Sequence, residues 1–362
     1  MLRSRNMLPI DLPPLVMRCG AFGDMVLLTV LLTQLHARFG RPADVISSGP
    51  WTRPLLAGHP AVGNLYLIRS RRMPYWLSSD QQTLVARLRH RGAGPTWFCD
   101  LGVGRSLLRR AGIPDDYVCD GRDIPWIAHE HIADRYIRLS AHTPSALAGR
   151  LPAAKPSALR AAEITVQPQA RAELDEWLDR RMLRGRPLVV VHPGCRHLAR
   201  RWLRSPDGVS KYWPVSRWAL LVQAIRASKP DHAIILSGTG AEGRMISDIE
   251  HLAGVRGVYG AAGELPIPRL LALLQRAEST VSVDTGPAHA AAALGCPTVA
   301  LFGTADAQMY RPGGVTTPAV SLTGVVAGRQ SILGISAQTA IDAWINLPAR
   351  TTAEPVPLVA NS

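Results

Sequence analysis

The segment from residue 281 to residue 303, VSVDTGPAHAAAALGCPTVALFG, constrains the fold of this chain more than any other. An apolar run is followed by a polar turn, an alanine-rich run that suits a helix, a glycine stop and a second apolar run, which together predict one β-α-β unit. The expected parts are a strand at 281–283, a turn at Asp284, Thr285 and Gly286, a helix to Leu294 and a strand at 298–302. The turn directs backbone N–H groups and the positive end of the helix dipole to one point, which predicts an anion site.

The N-terminal region repeats this plan. A short strand at 15–19 leads into the turn Gly20-Ala-Phe-Gly-Asp24 and an apolar helix at 25–39. Strands alternate with helices along both halves of the chain, which predicts the α/β class with parallel sheets. Ligands of such sheets bind at the carboxyl ends of the strands, where Asp24 and Arg105 both fall.

Length and charge set wide limits on function. The chain has 362 residues, enough for two domains, and 41 Lys and Arg against 27 Asp and Glu give a net charge of +14. This charge suits a polyanion, an anionic membrane face or a phosphorylated substrate, but a genome rich in Arg codons would produce it equally. The five cysteines are scattered without a C-x-x-C pair, which predicts thiols in a reducing cytosol. No apolar run is long enough to predict a membrane-spanning helix.

The ordered motifs of the two halves resemble one family. They are Gly23-Asp24, Asp100-Leu101 with Arg105-Ser106, His131-x-x-Asp-Arg-Tyr136, His192-Pro-Gly194, Lys211-x-Trp-Pro214, Gly238-x-Gly-Ala-Glu242 and Asp284-Thr-Gly-Pro-x-His289. In order and spacing they are similar to the ADP-heptose:lipopolysaccharide heptosyltransferases, a family of GT-B glycosyltransferases. The resemblance covers residues 16–347.

The resemblance implies an architecture and a reaction. It implies an acceptor-binding Rossmann-like domain at 1–165, a nucleotide-sugar-binding Rossmann-like domain at 166–335, and a region at 336–362 in which a C-terminal helix crosses back to the first domain before a flexible tail. A heptose-like sugar would pass from an ADP-sugar to a lipopolysaccharide-core-type acceptor, inverting the anomeric centre without a catalytic metal. The nucleotide sugar is a co-substrate, and no cofactor is expected.

The site residues follow from the motifs, and each has a plainer structural interpretation. Asp24 matches the catalytic base of the family, although Asp is also a favoured helix cap. Thr285, Gly286 and His289 would contact the leaving diphosphate, while Asp284, whose charge repels phosphate, would anchor the turn or bind a sugar hydroxyl. An isolated histidine is more often a buried residue bonded to a carbonyl.

The remaining site residues lie in other motifs. Lys211 matches a lysine near the donor phosphates, with a solvated loop lysine as the alternative. Glu242 matches a ribose ligand, with a first-turn helix glutamate as the alternative. Arg105 and Ser106 would bind a phosphorylated or otherwise acidic acceptor.

Two other classes of protein compete with this interpretation. A nucleotide-linked oxidoreductase is disfavoured because the first turn lacks the G-x-G-x-x-G pattern. A polyanion- or RNA-binding protein suits the charge, but aromatic residues are only 6% of the chain and no stacking motif is present, so no nucleic-acid partner is expected. The expected location is the cytoplasm, and a lipid-linked acceptor with a basic surface suits peripheral contact with the inner face of the membrane.

Overall fold

The computed structural model describes residues 11–69, 73–100, 104–154, 161–195, 210–313, 317–348 and 350. Two parallel sheets account for most strands in these ranges. The first contains β1 (Leu15–Met17), β2 (Ala43–Ser48), β3 (Val62–Ile68), β4 (Thr96–Phe98) and β5 (Val118–Asp120). The second contains β6 (Leu188–His192), β7 (Ala233–Gly238), β8 (Val258–Ala262), β9 (Ser279–Val283), β10 (Thr298–Leu301) and β11 (Ala319–Leu322), and a short antiparallel pair, β12 (Val325–Val326) and β13 (Arg329–Gln330), follows.

Helices connect the strands of both sheets. The first half contains α1 (Phe22–Phe39), α2 (Thr52–Leu56), α3 (Ser79–Arg91), α4 (Arg105–Arg110) and α5 (Ile132–Ala141). The second half contains α6 (Pro168–Arg180), α7 (Val215–Ser228), α8 (Gly243–Ala253), α9 (Ile267–Arg276), α10 (Gly286–Ala293), α11 (Ala307–Tyr310) and α12 (Ala337–Ile345). The β-α-β unit predicted from the alanine-rich segment is confirmed as β9, α10 and β10.

Both sheets have the strand order of a doubly wound fold. The first runs β3-β2-β1-β4-β5 and the second β11-β10-β9-β6-β7-β8, with every pair inside each sheet parallel. The order reverses direction between β1 and β4 in the first sheet and between β6 and β9 in the second. Crevices form at the carboxyl ends of the strands at these two points. The polar turns after β1 and β9 both lie there.

Strand residues alternate between two cores, because successive side chains point to opposite faces of a sheet. Leu15 and Met17 belong to one cluster with Phe98, whereas Val16 belongs to another with α1. In the second sheet, Val190 joins the cluster of Val16, and Val191 packs on the opposite face with Trp213 and Trp218. One apolar cluster therefore runs through both halves, on one face of each sheet.

Two helix positions differ from the sequence predictions. Helix α1 begins at Phe22 and not at Met25, so Asp24 lies in its first turn. The carboxylate of Asp24 accepts the N–H of Ala21, which allows the helix to begin earlier than the apolar pattern suggests. The sequence also predicts a helix at 129–139, and the observed helix, α5, begins only after His131, whose ring Nδ1 accepts the N–H of Ala133 as a cap.

Serine is a favoured N-cap, so the sequence predicts that Ser336 caps the last helix, and its Oγ accepts the Thr339 N–H at the start of α12. Its apolar face is buried on the second half, where Ala340 and Trp344 join the cluster of Trp213 and Trp218. The indole N–H of Trp344 donates to Ser279 Oγ in β9 at 3.0 Å. This packing differs from the expected crossing to the first domain.

The residues of the expected flexible tail beyond residue 350 lie outside the described ranges. No helix among the described residues is long and apolar enough to cross a bilayer.

Trp344→Ala is expected to destabilise the protein by about 3–5 kcal/mol, because it empties a buried aromatic site and leaves Ser279 without its donor. The neighbouring Ile345 is 55% exposed, compared with 6% for Trp344, so Ile345→Ala serves as the matched control and should cost less than about 1 kcal/mol. Urea unfolding of both variants measures the difference. Equal losses would show that α12 is not docked as described.

Candidate active site

Asp24 is a partly exposed carboxylate at the carboxyl end of β1. Its Oδ2 accepts the Ala21 N–H at 2.8 Å, and its Oδ1 accepts from Arg18 Nη2 at 2.9 Å. The side chain keeps 34% of its surface exposed. Asp24 therefore caps the helix and keeps an accessible carboxylate, so the two interpretations of this residue do not exclude each other.

Arg18 holds the carboxylate of Asp24 in place, a contact that the motifs did not predict. Its Nη1 donates to the Cys99 carbonyl beyond β4 at 2.8 Å, so one guanidinium ties the ends of two strands to Asp24. Burial by itself would lower the pKa of Arg18, but the neighbouring Tyr136 and Asp24 outweigh it and raise the pKa. Arg18 thus remains charged. A cation at a strand end, six residues before Asp24, was the available signal in the sequence.

Asp284 lies in the turn after β9, and its carboxylate contacts the side chains of Lys211 and His289. Its Oδ2 accepts from Lys211 Nζ at 2.7 Å, and its Oδ1 lies 3.6 Å from His289 Nε2. Burial alone would raise the pKa of Asp284, but the His289 contact and the Lys211 charge outweigh it and lower the pKa. The carboxylate is therefore ionised, and of its two expected roles the structure provides the anchoring one.

Lys211 reaches this turn because its backbone passes very close to Gly303, the last residue of the alanine-rich segment. A Cβ on Gly303 would stand 1.7 Å from the Ser210 carbonyl oxygen, so only glycine fits. Lys211 is thus an ordered neighbour of the turn and not a solvated loop lysine. The preceding residues 196–209, which include Arg200, Arg201 and Arg204, lie outside the described ranges.

The turn also presents groups that can bind an anion. The amides of Thr285 and Gly286, at the start of α10, donate to no acceptor among the described residues, and the buried His289 Nδ1 has no partner there either. The Thr285 hydroxyl donates inward to the Val283 carbonyl at 3.1 Å. Backbone amides and the imidazole are therefore better placed as donors to a ligand than the Thr285 hydroxyl.

The two turns, one from each half, meet directly. A Cβ on Gly23 would lie 2.9 Å from His289 Cδ2, and a Cβ on Gly286 would lie 2.5 Å from the Phe22 ring. The N-terminal ends of α1 and α10 are therefore in contact. Asp24 follows Gly23 directly in the chain and therefore lies near the turn of the opposite half.

Gly23→Ala is expected to impair any reaction that uses both turns while leaving the fold intact. Alanine favours the first turn of a helix over glycine, so stability should hold or rise slightly, but the new methyl must displace His289. We expect nucleotide affinity and turnover each to fall about tenfold. Gly313→Ala is the matched control, since a Cβ there meets nothing within 4 Å. Isothermal titration and steady-state rates measure both, and unchanged values for Gly23→Ala would contradict the described contact.

The residue before α5, His131, contacts the residue after α11, Arg311, near the two turns. His131 donates from Nε2 to the Arg311 carbonyl at 2.9 Å, while its Nδ1 accepts the Ala133 N–H. Burial lowers the pKa of His131, so the ring is neutral and both nitrogens are satisfied in that form. His131 belongs to the H-x-x-D-R-Y motif, whose Tyr136 lies buried near Arg18. This motif therefore supports the junction of the two halves.

Glu242 lies apart from the Asp284 turn, at the end of β7. Its Oε2 accepts the Thr239 N–H at 2.7 Å and the Thr239 hydroxyl at 2.9 Å, a helix cap. A Cβ on Gly194 would stand 2.2 Å from Glu242 Oε1, so the glycine of H-P-G makes room for this carboxylate. The capping role of Glu242 is thus present. Binding of ribose stays a prediction, and Oε1 is the atom that would make the contact.

Arg105 and Ser106 begin α4, after β4 of the first sheet. Arg105 is paired with Asp115, whose Oδ1 lies 3.0 Å from Arg105 Nη2, and its buried Nη1 has no partner among the described residues. Ser106 is exposed. Both residues lie at the predicted edge of the sheet, but Asp115 already occupies part of the Arg105 guanidinium, which sequence spacing did not reveal.

The described residues contain no cluster of three or more His, Cys, Asp or Glu that could hold a metal ion.

Trp213 and Trp218 are buried in a T-shaped pair with ring centroids 4.7 Å apart, and Trp213 donates to the Ile335 carbonyl. Their role is therefore structural.

Comparison with known proteins finds one family whose model matches this chain. A model of glycosyltransferase family 9 (heptosyltransferase) matches residues 121–327, more than half of the chain. The chain belongs to glycosyltransferase family 9. Among curated members, lipopolysaccharide heptosyltransferase 3 of Escherichia coli is 27% identical over 129 residues, and lipopolysaccharide heptosyltransferase 1 of Pseudomonas aeruginosa is 31% identical over 134 residues. These matches span 35% and 36% of this chain but only about a third of each relative, 34% and 33%.

Solved structures show the fold of this family 9 chain over nearly its full length. A family 9 glycosyltransferase from Veillonella parvula has a TM-score of 0.73 at 16% identity, covering 94% of this chain and 98% of its own. ADP-heptose lipopolysaccharide heptosyltransferase II of E. coli has a TM-score of 0.66 at 21% identity, covering 92% and 98%. An E. coli heptosyltransferase solved with ADP has a TM-score of 0.61 at 17% identity, covering 92% and 99%. The predicted GT-B architecture of two facing α/β sheets is confirmed.

Proposed function

We propose that this chain is an inverting glycosyltransferase that moves a heptose-like sugar from an ADP-sugar to a lipopolysaccharide-core-type acceptor. The observation that carries the proposal is the contact between the two turns, which brings Gly23, the residue before Asp24, against His289 of the opposite half. A single displacement needs a base on one side of the anomeric carbon and anion-binding donors on the other. The proposed domains keep the boundaries 1–165 for the acceptor and 166–335 for the donor.

In the proposed step, Asp24 takes the proton of the acceptor hydroxyl while that oxygen attacks the anomeric carbon. The bond from this carbon to the diphosphate oxygen breaks, and its electron pair leaves with the nucleoside diphosphate. Lys211, His289 and the Thr285 and Gly286 amides meet the growing negative charge. Because these donors are already in place, the step needs no metal.

The supporting residues orient the reacting groups. Arg18 fixes the Asp24 carboxylate, and Asp284 fixes Lys211 and His289 without facing the phosphate directly. Arg105 is the residue proposed to bind an anionic acceptor, and Glu242 Oε1 is the group proposed to bind ribose. Support for an adenine nucleotide comes from one structural relative, the E. coli heptosyltransferase that was solved with ADP and with ADP-2-deoxy-2-fluoro heptose.

The proposal is tested with a panel of nucleotide sugars and a lipopolysaccharide-core oligosaccharide, with products followed by mass spectrometry. We expect ADP release coupled to a heptose mass gain on the acceptor, and stabilisation of the protein by ADP but not by NAD. Consumption of a UDP- or GDP-sugar alone would overturn the donor assignment. Stabilisation by NAD with no glycosyl transfer would overturn the class.

A further inference from the structure

A short helical turn in the first half exposes large apolar side chains to water. Met73, Trp76 and Leu77, around the turn Tyr75–Leu77, have 47%, 74% and 58% of their surface exposed. A cluster of three such side chains indicates a contact with another body, whereas a single one would need no explanation. We call residues 73–77 the apolar turn.

The apolar turn is held rigidly by helix α3. Gln81 Nε2 donates to the Met73 carbonyl at 3.0 Å, and Gln82 Nε2 donates to the Tyr75 and Trp76 carbonyls at 3.1 and 3.2 Å. The Leu77 N–H donates to the Pro74 carbonyl at 3.0 Å. The backbone is thus fixed with its apolar side chains directed outward, so their exposure is built into the local structure.

The surroundings of the apolar turn are strongly basic. The sequence from residue 69 to residue 91 carries six arginines and one acidic residue, Asp80, and of these arginines Arg91 has a mostly buried side chain that is paired with Asp44. That carboxylate is engaged by the Arg69 N–H and the Ser78 hydroxyl. From the neighbouring helix α4, the Arg110 guanidinium lies over the Tyr75 ring at 4.6 Å. An aromatic and aliphatic tip beside arginines is the pattern of residues at a membrane interface with anionic lipid.

The apolar turn also lies on the acceptor side of the fold. Helix α4 begins at Arg105, the residue proposed to bind the acceptor, and ends at Arg110 above Tyr75. Six helical residues span about 9 Å, so the two sites are close to each other on the first half. A second copy of this chain would bring the same basic surface against itself, which disfavours self-association as the occupant.

We propose that the apolar turn is a membrane-docking element that inserts Trp76 and Leu77 into a bilayer containing anionic lipid, with Arg69 and Arg110 bound to the headgroups. Only its purpose, presenting a lipid-linked acceptor to the first half, rests on the proposed function. The docking itself is a property of the surface and can be measured without any glycosyl transfer.

The test is co-sedimentation of the full chain with vesicles of phosphatidylglycerol and phosphatidylcholine in equal amounts, and with vesicles of phosphatidylcholine alone. We expect the wild type to sediment with the mixed vesicles, less so at high salt. The double variant Trp76→Ser, Leu77→Ser should lower the partition coefficient at least about tenfold. The matched control is Leu220→Ser, Leu252→Ser, which removes two similarly exposed leucines from the second half and should bind as the wild type does.

Equal sedimentation of the wild type and the Trp76, Leu77 double variant would overturn the proposal, as would no wild-type binding to the mixed vesicles. A dimer on gel filtration that only the double variant dissociates would assign the surface to a second copy and overturn it too. The double variant should still transfer sugar to a soluble acceptor without lipid at the wild-type rate. A wild type that binds vesicles but transfers nothing would refute the proposed function and leave the docking surface standing.

Discussion

Asp24→Asn is expected to lower the turnover number between about a hundredfold and ten-thousandfold, the range that a general base contributes, while the affinity for ADP stays within about twofold. The amide oxygen of asparagine can still accept one of the two hydrogen bonds that Asp24 accepts from Ala21 and Arg18, so the first turn of α1 should persist. What is lost is the ability to take the acceptor proton. Steady-state kinetics and calorimetric titration with ADP measure the two quantities separately.

The control for this variant is Asp342→Asn in α12, an acidic residue on the second half, which should keep wild-type turnover. A near-normal turnover number for Asp24→Asn would remove Asp24 from the role of base. A parallel loss of ADP affinity would show that the substitution disturbs the donor turn through Gly23 and His289, and would require a different explanation for any loss of rate.

Lys211→Met is expected to lower the turnover number about a hundredfold or more, since a preorganised donor to the leaving diphosphate disappears. The variant also leaves the Asp284 carboxylate without its ammonium partner in a mostly buried site. We therefore expect a loss of unfolding free energy on the order of 2 kcal/mol at neutral pH. Steady-state rates and urea unfolding test the two effects independently.

The stability effect of Lys211→Met should depend on pH. Because the pKa of Asp284 is lowered below its ordinary value of 3.8 in the folded protein, its contribution to stability is fully present above that value and is lost as the pH falls through the folded pKa. The variant removes part of this contribution. The difference from the wild type should thus be largest near neutral pH and narrow below about pH 4.

Lys229→Met is the matched control for this prediction. Lys229 also pairs with a carboxylate at 2.7 Å, that of Glu278, but more of its side chain is exposed and it lies away from the turn after β9. Its loss should cost less than about 1 kcal/mol and leave turnover unchanged. A Lys211→Met variant that behaved like this control would show that the Lys211–Asp284 pair has no special role.

The sequence predicted the elements whose pattern is local. The β-α-β unit around Asp284, the Ser336 cap and the parallel α/β class follow from periodicity and turn residues, and the structure confirms them. The apolar pattern did not predict the early start of α1, because this start depends on a hydrogen bond from the Ala21 N–H to the Asp24 carboxylate. The packing of α12 on the second half depends on Trp344 reaching Ser279, a contact between residues distant in the chain.

In the candidate site, too, the sequence identified single residues but not the contacts between distant ones. The motifs identified Asp24, Lys211, Asp284 and His289, and the structure brings the last three together around one carboxylate. They could not show that Asp284 is the anchor of the other two, or that Arg18 orients Asp24, because both depend on three-dimensional distances between separate loops. The position of the two turns against each other, through Gly23 and Gly286, likewise required coordinates.

The central claim is that sugar transfer occurs by one displacement between Asp24 and the donor turn. The most direct test is the anomeric configuration of the product that the wild type forms from its ADP-sugar donor, read by proton NMR. We expect a new glycosidic bond of inverted configuration relative to the donor, and no detectable bond in the same time with Asp24→Asn. A product with the configuration of the donor retained would contradict it.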